Sequence, residues 1–541
     1  ATFIIAGCLS LNSWSQNYIL NSEAIDHYFE KFNHNDNELY KGYIPNDQSL
    51  KFLSVNIPLF ECPDKQIEET YYFRWWTYRK HIKKTDSGFV ITEFLPDVPW
   101  AGKDNAISCA AAFHFNEGRW LADHTFLDSY ANYWFREGGS PRTYSFWAAR
   151  ALIDYFLVTG NRQLLQDLYP YLESNFQAWV NEKYDNVKEL FWQADGEDGM
   201  EVSISGAFSE NGSGYRSTIN SYMYAEAEAL AEIGRMLNEK DKEKHYSEKA
   251  EQIKINMLEK LWNEEDTFFE VIPKNDKMLF SGTRELHGYT PWAFHIPDDR
   301  EKYSAAWKQI MSECGFFAPY GLTTAEQRSP DFKVSYEGHE CQWNGPSWPY
   351  ATSMTLIAMS GLLNNYHQGF VSKEDFFRLF KIYSESHQLK ENGKTLNWID
   401  ENLNPYTGDW LARTRLKTWE NNSWSNGKGG VERGKDYNHS IFCDLIISHL
   451  IGFKPHLDGS FEVKPLITDK ECLDNLYYRG SFITVLFDKT GEHYKRGIGL
   501  KIWIDRKEVF SAPTLQGIKM TSLPEYSSSV LISFFDQGRQ P

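Results

Sequence analysis

The sequence predicts a mainly α protein, an (α/α)6 toroid of helical hairpins with a small C-terminal antiparallel β-sandwich. Three observations predict it. Apolar residues recur at helical spacing over 65–82, 104–117, 123–137, 143–159, 162–181, 217–236, 240–262, 300–313, 348–364, 373–389 and 438–451. These segments pair through short turns, and alternate connections are long and dense in Trp, Asn, Gly and acid. Beyond Gly452 the apolar period falls to two, as in short strands.

Composition bounds the rest. At 541 residues and 41% apolar content the chain can bury a large core and carry a smaller module. A formal net charge of −18 excludes nucleic acid and anionic membrane as partners, because both require basic surface. No stretch carries eighteen uninterrupted apolar residues, so no membrane span is expected. Aromatic residues reach 16%, and rings of this kind pack cores and also stack on sugar faces. The seven cysteines are scattered, without CxxC or Cys/His metal spacing, and no His pair has HExxH spacing. They read as mostly buried thiols, and neither a metal nor another cofactor is expected.

In chain order, residues 1–15 resemble the remnant of an export signal. Ile5-Ala6-Gly7-Cys8 is similar to a lipobox and Ser13-Trp14-Ser15 to a cleavage site, which together predict a periplasmic or lipid-anchored protein. Residues 16–47 form an N-terminal extension with one short helix and an Asn/Asp-rich connection. Residues 48–452 form the toroid. Its helix at 65–82 places aromatic residues on nearly every face, so it is expected inside other helices. Six hairpins need a twelfth helix, placed in 48–58 or near 285. Residues 453–541 form the sandwich, with strands at 459–465, 481–488, 499–505, 507–510 and 529–534.

Four loops carry the chemistry. They are His114-Phe-Asn116-Glu117-Gly-Arg119-Trp120, Asp195 to Gly206, Glu340 to Pro349, and Asn397 to Gly408. The second packs four carboxylates and three glycines into twelve residues. Closely spaced acids repel unless some bond or stay protonated, so this run either positions acids for work or forms a solvated, calcium-like turn; no EF-hand spacing supports the latter. In a toroid such loops converge on one end. Two facing carboxyls, one protonated and one ionised, are the minimal machinery for hydrolysing a glycosidic bond.

The motifs that carry a family resemblance lie in these loops. Glu197-Asp-Gly-Met-Glu201-Val-Ser203 resembles the ESGxDxS motif of (α/α)6 glycoside hydrolases related to trehalases, family 63 glucosidases and mannosylglycerate hydrolases. Trp343-Asn-Gly-Pro-Ser-Trp348 resembles their WxGPxW segment, and Glu401-Asn-Leu-Asn-Pro405-Tyr-Thr-Gly408 their ENYDPxTG segment. Arg216 to Tyr224 stands where the helix after the acid loop is expected. The resemblance covers about residues 60–450 and implies an inverting mechanism with Glu201 as general acid and Glu401 as general base. The family's usual Asp is Glu here, which keeps Asp195, Glu197 and Asp198 as alternatives for the acid.

Candidate sugar-binding residues are Asp195, Asp198, Arg74, Trp75, Asn116, Glu117, Arg119, Trp120, Trp192, Gln342, Trp343, Asn344, Trp348, Trp398 and His439. Glu117, Arg119 and Trp120 can equally form a salt-bridged helix end, and Asp436 reads as the N-cap of the last toroid helix. The expected partner is an oligosaccharide or glycoside, cleaved from its end, most simply an α-glucoside or α-mannoside. Alternatives are an α-L-rhamnosidase-like hydrolase, a polysaccharide lyase using Tyr215, Arg216 or His339, and an inactive sugar-binding protein.

Overall fold

The computed structural model describes residues 19–277, 279–418, 428–466 and 470–520. The export-signal reading of residues 1–15, with Cys8, and the strand expected at 529–534 lie outside the described residues. Helices α1 (Asp26–Asn35), α2 (Asn46–Asn56) and α3 (Lys65–Lys80) are followed by α4 (Ala111–Gly118), α5 (Thr125–Arg136), α6 (Ala148–Thr159) and α7 (Arg162–Lys183). Then come α8 (Ser217–Met236), α9 (Lys240–Lys260), α10 (Thr290–Ala293), α11 (Glu301–Ser304), α12 (Pro349–Asn365), α13 (Lys373–Glu385) and α14 (Leu411–Thr418). A π-helical turn, Leu445–Leu450, ends the helical part.

The helices alternate between an inner and an outer ring. Helices α4, α6, α8, α10, α12 and the 445–450 helix pack in succession as the inner ring, and α3, α5, α7, α9, α11 and α13 flank them outside. Burial separates the two: α8 has 15 of its 20 residues buried, whereas α9 has 5 of 21. Helix α3 is the exception among outer helices, with 13 of 16 residues buried. Its outward face is covered by α1 and α2, which accounts for the aromatic residues on all its sides.

Both sites suggested for the missing helix are helical. The one near 285 is the short 3-10 turn Leu286–Tyr289 running into α10, and this is the ring member. The one at 48–58 is α2, which lies outside the ring. Four expected segments shift: the helix expected from 143 begins at Ala148 and the one expected from 438 begins at 443, and two others depart for reasons of local geometry. The helix expected from 104 begins at Ala111, because Asp104 and Asn105 hold φ of 58° and 63°, outside helical geometry. The 300–313 segment is only a turn of α-helix followed by 3-10 structure.

Ring closure depends on Glu117. Its Oε1 accepts the N–H groups of Phe442 (3.1 Å) and Cys443 (2.9 Å), and its Oε2 accepts that of Asp444 (2.8 Å). A glutamate of the first inner helix therefore caps the last one, satisfying donors that no intrahelical carbonyl can reach. Arg119 and Trp120 join the same seam, both donating to Asp444 Oδ1 at 2.7 Å. Asp436 is not the cap: it pairs with Lys80 at 2.5 Å, and its carbonyl meets His81 Nε2.

The C-terminal β region contains a five-stranded antiparallel sheet and a three-stranded one. Leu59–Glu61, just before α3, pairs with Glu471–Tyr478 as the edge of the five-stranded sheet, so the two parts share backbone hydrogen bonds. Tyr478 of that sheet packs on Phe453 and Phe461 of the other, forming the interior of the sandwich. Among the described cysteines, Cys62, Cys109, Cys443 and Cys472 are buried, Cys341 is partly exposed and Cys314 is exposed; all are free thiols.

Replacing Glu117 by Ala strands three backbone donors in the core, and at about 1 kcal/mol or more each the expected loss is about 3 kcal/mol. Urea or thermal denaturation measures it, against an expected loss under about 0.5 kcal/mol for exposed Glu248→Ala.

Candidate active site

The six outer-to-inner connections, 81–110, 137–147, 184–216, 261–289, 305–348 and 386–444, all lead into N-termini of inner helices. The return connections are as short as 160–161 and 237–239. The long connections bond to one another at one end of the ring, where the positive ends of helix dipoles favour acids.

The acid loop is closed at its base by a hairpin of Gln193–Ala194 with Ser213–Tyr215. Asp195 accepts from the Gly196 N–H, the Ser203 hydroxyl and the Ser203 N–H. Its carboxyl fills the space against Gly206 and Gly212, where any Cβ would overlap it. Asp198 is fully buried, paired with Arg216 at 3.1 Å and bonded by the hydroxyls of Ser145 and Thr218. Glu285, from the connection into α10, accepts the N–H groups of Ile204 (3.0 Å) and Ser205 (3.3 Å). Glu197 lies outside on Lys183. Asp195, Asp198 and Glu197 are thus each committed to partners that fold the loop.

Glu201 is the acid left over. Among the described residues no other side chain bonds its carboxyl, and its carbonyl accepts from the Trp343 N–H at 3.1 Å. Burial raises its pKa to about 7; the charges of Asp195, Glu401 and Glu340 push the same way, and a bond to its own backbone opposes them. The next residue, Val202, holds φ of 59°, a left-handed conformation costly for a β-branched side chain. The loop accepts that strain where it delivers Glu201.

Glu401 has the opposite surroundings. It is 1% exposed, and Arg433 grips both oxygens, Nε to Oε1 at 2.7 Å and Nη2 to Oε2 at 2.9 Å. The Cys341 thiol donates to Oε2 at 3.1 Å. Of about four acceptor sites on a carboxylate, three are used and one is left for a water. Arg433 also pairs with Glu340 at 3.0 Å and lies over the ring of Trp100 at 4.9 Å. Burial favours the neutral form of Glu340, but Arg433 and Lys428 outweigh it and hold its pKa near 2.

Trp343 and Trp348 stack on each other, centroids 4.6 Å apart, and form an aromatic wall beside the acid loop. His439 stacks on Tyr350 and places Nε2 3.2 Å from Cys109 Sγ; burial lowers its pKa to about 3, so it is neutral. Trp398 donates to Asp400 Oδ2 at 3.3 Å beneath the Arg413 guanidinium. Gln342 is held by Arg415 and by the Glu337 carbonyl, whereas Asn344 Oδ1 is buried without a partner. Trp192 lies between Lys183 and Lys274 on the flank of the hairpin.

Five sequence candidates sit in the ring seams. Arg74 bonds Tyr383, His387 and the Ser440 carbonyl, and Trp75 is buried between Tyr71 and Tyr78. Glu117, Arg119 and Trp120 close the ring as described, their polar groups matched by Phe442 to Asp444 rather than open to a sugar. Asn116 is buried in α4.

The sequence reading missed Arg433, Glu93, Cys341 and Glu285. A signal for Arg433 existed in the need of a buried Glu401 for a cation; nothing local marks which of the later arginines supplies it. His339, Glu340 and Cys341 bring three donor atoms within 4.8 Å of one another. They fit a metal poorly, since Arg433 and Lys428 already neutralise Glu340 and burial keeps the Cys341 thiol protonated.

Arg433→Met removes the cation shared by Glu401 and Glu340. Two buried carboxylates without it are expected to cost about 3–5 kcal/mol of stability and abolish turnover. Arg433→Lys is expected to regain stability in part but little activity, because a single ammonium cannot reproduce the fork; denaturation and rate assays on both variants check this.

A family model described as the mannosylglycerate hydrolase MGH1-like glycoside hydrolase domain matches residues 103–440. Among solved structures, a protein named Sialidase is 39% identical with a TM-score of 0.85, over 93% of this chain and 45% of that one. A GH78 family rhamnosidase of Bacillus sp. GL1 shares the fold at 10% identity and a TM-score of 0.51, over 83% of this chain and 41% of that one. An uncharacterized protein of Borreliella burgdorferi is 21% identical over 209 residues, 38% of this chain and 40% of that one. The chain spans less than half the length of each of these three proteins.

Proposed function

The chain belongs to the mannosylglycerate hydrolase MGH1-like glycoside hydrolase family, and on that premise we propose an exo-acting, inverting enzyme with Glu201 as general acid and Glu401 as general base. The observation that carries this reading is the contrast between the two carboxyls. Glu201 has no side-chain partner and a pKa raised to about 7, whereas Glu401 has both oxygens on Arg433. Environments that set two acids apart in this way assign the proton donor and the proton acceptor.

Glu201 protonates the departing glycosidic oxygen. Glu401 uses its remaining acceptor site to orient a water and takes its proton as the oxygen attacks the anomeric carbon from the opposite face. Inversion requires a separation of roughly 6.5–9.5 Å between the carboxyls to admit that water. The family description names mannosylglycerate and so favours a mannoside, the motif resemblance keeps an α-mannoside, an α-glucoside and an α-L-rhamnoside open, and the similar protein named sialidase adds sialosides. The lyase reading loses support, because Tyr215 gives its hydroxyl to Asp185 and Arg216 is buried on Asp198. The catalytic unit is proposed as 48–452 with the β-sandwich from 453, and the signal-like residues 1–15 support export.

A panel of aryl α-mannosides, α-glucosides, α-L-rhamnosides and sialosides identifies the substrate, and proton NMR of the first sugar released is expected to show the inverted anomer. Glu401→Gln is expected to lose turnover by about 10³-fold or more; Glu201→Gln is expected to lose it on unactivated glycosides and recover partly on those with a nitrophenolate leaving group. Wild-type turnover is expected to fall as pH rises through about 7, where Glu201 gives up its proton. A retained anomer, or near-normal rates in either variant, contradicts the assignment.

A further inference from the structure

A third carboxyl belongs to this cluster and has no role in the two-acid scheme. Glu93 lies in the connection into α4 and is 4% exposed. Its Oε1 accepts the Tyr437 hydroxyl at 2.8 Å, and its backbone carbonyl accepts the Asn438 N–H. Its Oε2 is buried and has no hydrogen-bond partner among the described residues. An unsatisfied buried carboxyl oxygen is costly, and a water, an ion or a ligand group can complete it.

The groups that face Glu93 explain its state. Tyr437 touches it, the neutral His439 has Nε2 3.9 Å from Oε1, and the Cys109 thiol lies 3.2 Å from that same Nε2. The charges of Glu401, Glu201 and Arg433 act on it from the other connections. Burial raises its pKa to about 8, against the Tyr437 bond and with the charges of Glu401 and Glu201, so the acid keeps its proton at neutral pH. With Oε1 already accepting from Tyr437, the proton belongs on the unpartnered Oε2.

We propose that Glu93 is a substrate-reading residue, whose Oε2–H donates a hydrogen bond to one hydroxyl of the sugar bound between Glu201 and Glu401. The inference rests on that pair marking the sugar site. Glu93 precedes Phe94, whose ring lies 5.8 Å from the Arg433 guanidinium, and its partner Tyr437 gives its N–H to the Ile399 carbonyl, two residues before Glu401; a hydroxyl brought against Glu93 supplies the partner that its buried oxygen lacks. Specificity then follows from chemistry: a donor left unpaired in a closed site penalises a sugar lacking the hydroxyl.

The test compares wild type, Glu93→Gln and Glu93→Ala on the best aryl glycoside and on its monodeoxy analogues. Glu93→Ala is expected to lose about 10–100-fold in kcat/KM on the parent sugar. Glu93→Gln, which keeps a neutral donor, is expected to stay within about 5-fold of wild type at pH 7 and to hold its parent-to-deoxy discrimination above pH 8, where wild type loses it. One deoxy analogue is expected to cost wild type a similar 10–100-fold and to be used equally well by wild type and Glu93→Ala. The proposal is overturned if Glu93→Gln is as impaired as Glu93→Ala, or if no deoxy analogue closes the gap. Should Glu93→Ala fail to fold, the wild-type deoxy series and Glu93→Gln still decide it. Failure of the two-acid reading shows separately, as near-normal turnover by Glu201→Gln or Glu401→Gln.

Discussion

The guanidinium of Arg433 is the interaction on which the rest of this site depends. It is 1% exposed, it binds Glu401 and Glu340 from two connections, and it lies against Trp100 from a third. A buried charge is tolerated only when paired and hydrogen-bonded, and here one cation meets that condition for Glu401 and, together with Lys428, for Glu340. The loops at 92–102, 340–348 and 397–408 are thereby held in one arrangement, and the Trp343 N–H ties the acid loop to it through the Glu201 carbonyl. Glu201 can remain without a side-chain partner because its neighbours fix the backbone that carries it.

The same logic operates at the level of the ring. Short helices that begin near one another concentrate unsatisfied N–H groups, and the chain meets them with buried glutamates from other elements. Glu117 of α4 caps the last helix, Glu226 of α8 takes the Ala149 N–H at the start of α6, and Glu285 takes the Ile204 and Ser205 N–H groups in the acid loop. Structural and reactive acids therefore crowd the same end of the toroid. Composition alone cannot separate them, but hydrogen-bond accounting can: Asp195, Asp198, Glu117 and Glu285 have their oxygens engaged, and Glu201 does not.

Much of this architecture was legible in the chain. Helical periodicity located the long helices, the switch to period two located the sandwich, and the contrast of short and long connections marked the end that carries the site. Short elements were harder: α14 was not expected and α10 only as a helix near 285, because each has too few turns for a periodic signal, and residues 104–110 look helical by apolar spacing while two left-handed residues forbid it. The loops of Glu201 and Glu401 stood out in the sequence because motif and chemistry pointed to the same residues. For Glu117, Arg119 and Trp120 the sequence left a salt-bridged helix end and a sugar subsite both open, since a buried seam and a sugar site use the same residue types. Arg433 and Glu93 were illegible because their roles come from contacts across 32 and 344 residues of sequence.

Two glutamates of identical intrinsic chemistry thus have opposite surroundings. Glu401 is gripped by a fork of donors, and Glu201 is desolvated and left alone. The most direct test is the titration of Glu201 itself, followed by difference infrared spectroscopy of its carboxyl band, which is identified by its loss in Glu201→Gln. A midpoint near 7 that falls when Glu401→Gln removes the neighbouring charge is the result expected here. A midpoint in the ordinary glutamate range near ~4.3, unmoved by Glu401→Gln, would contradict the account.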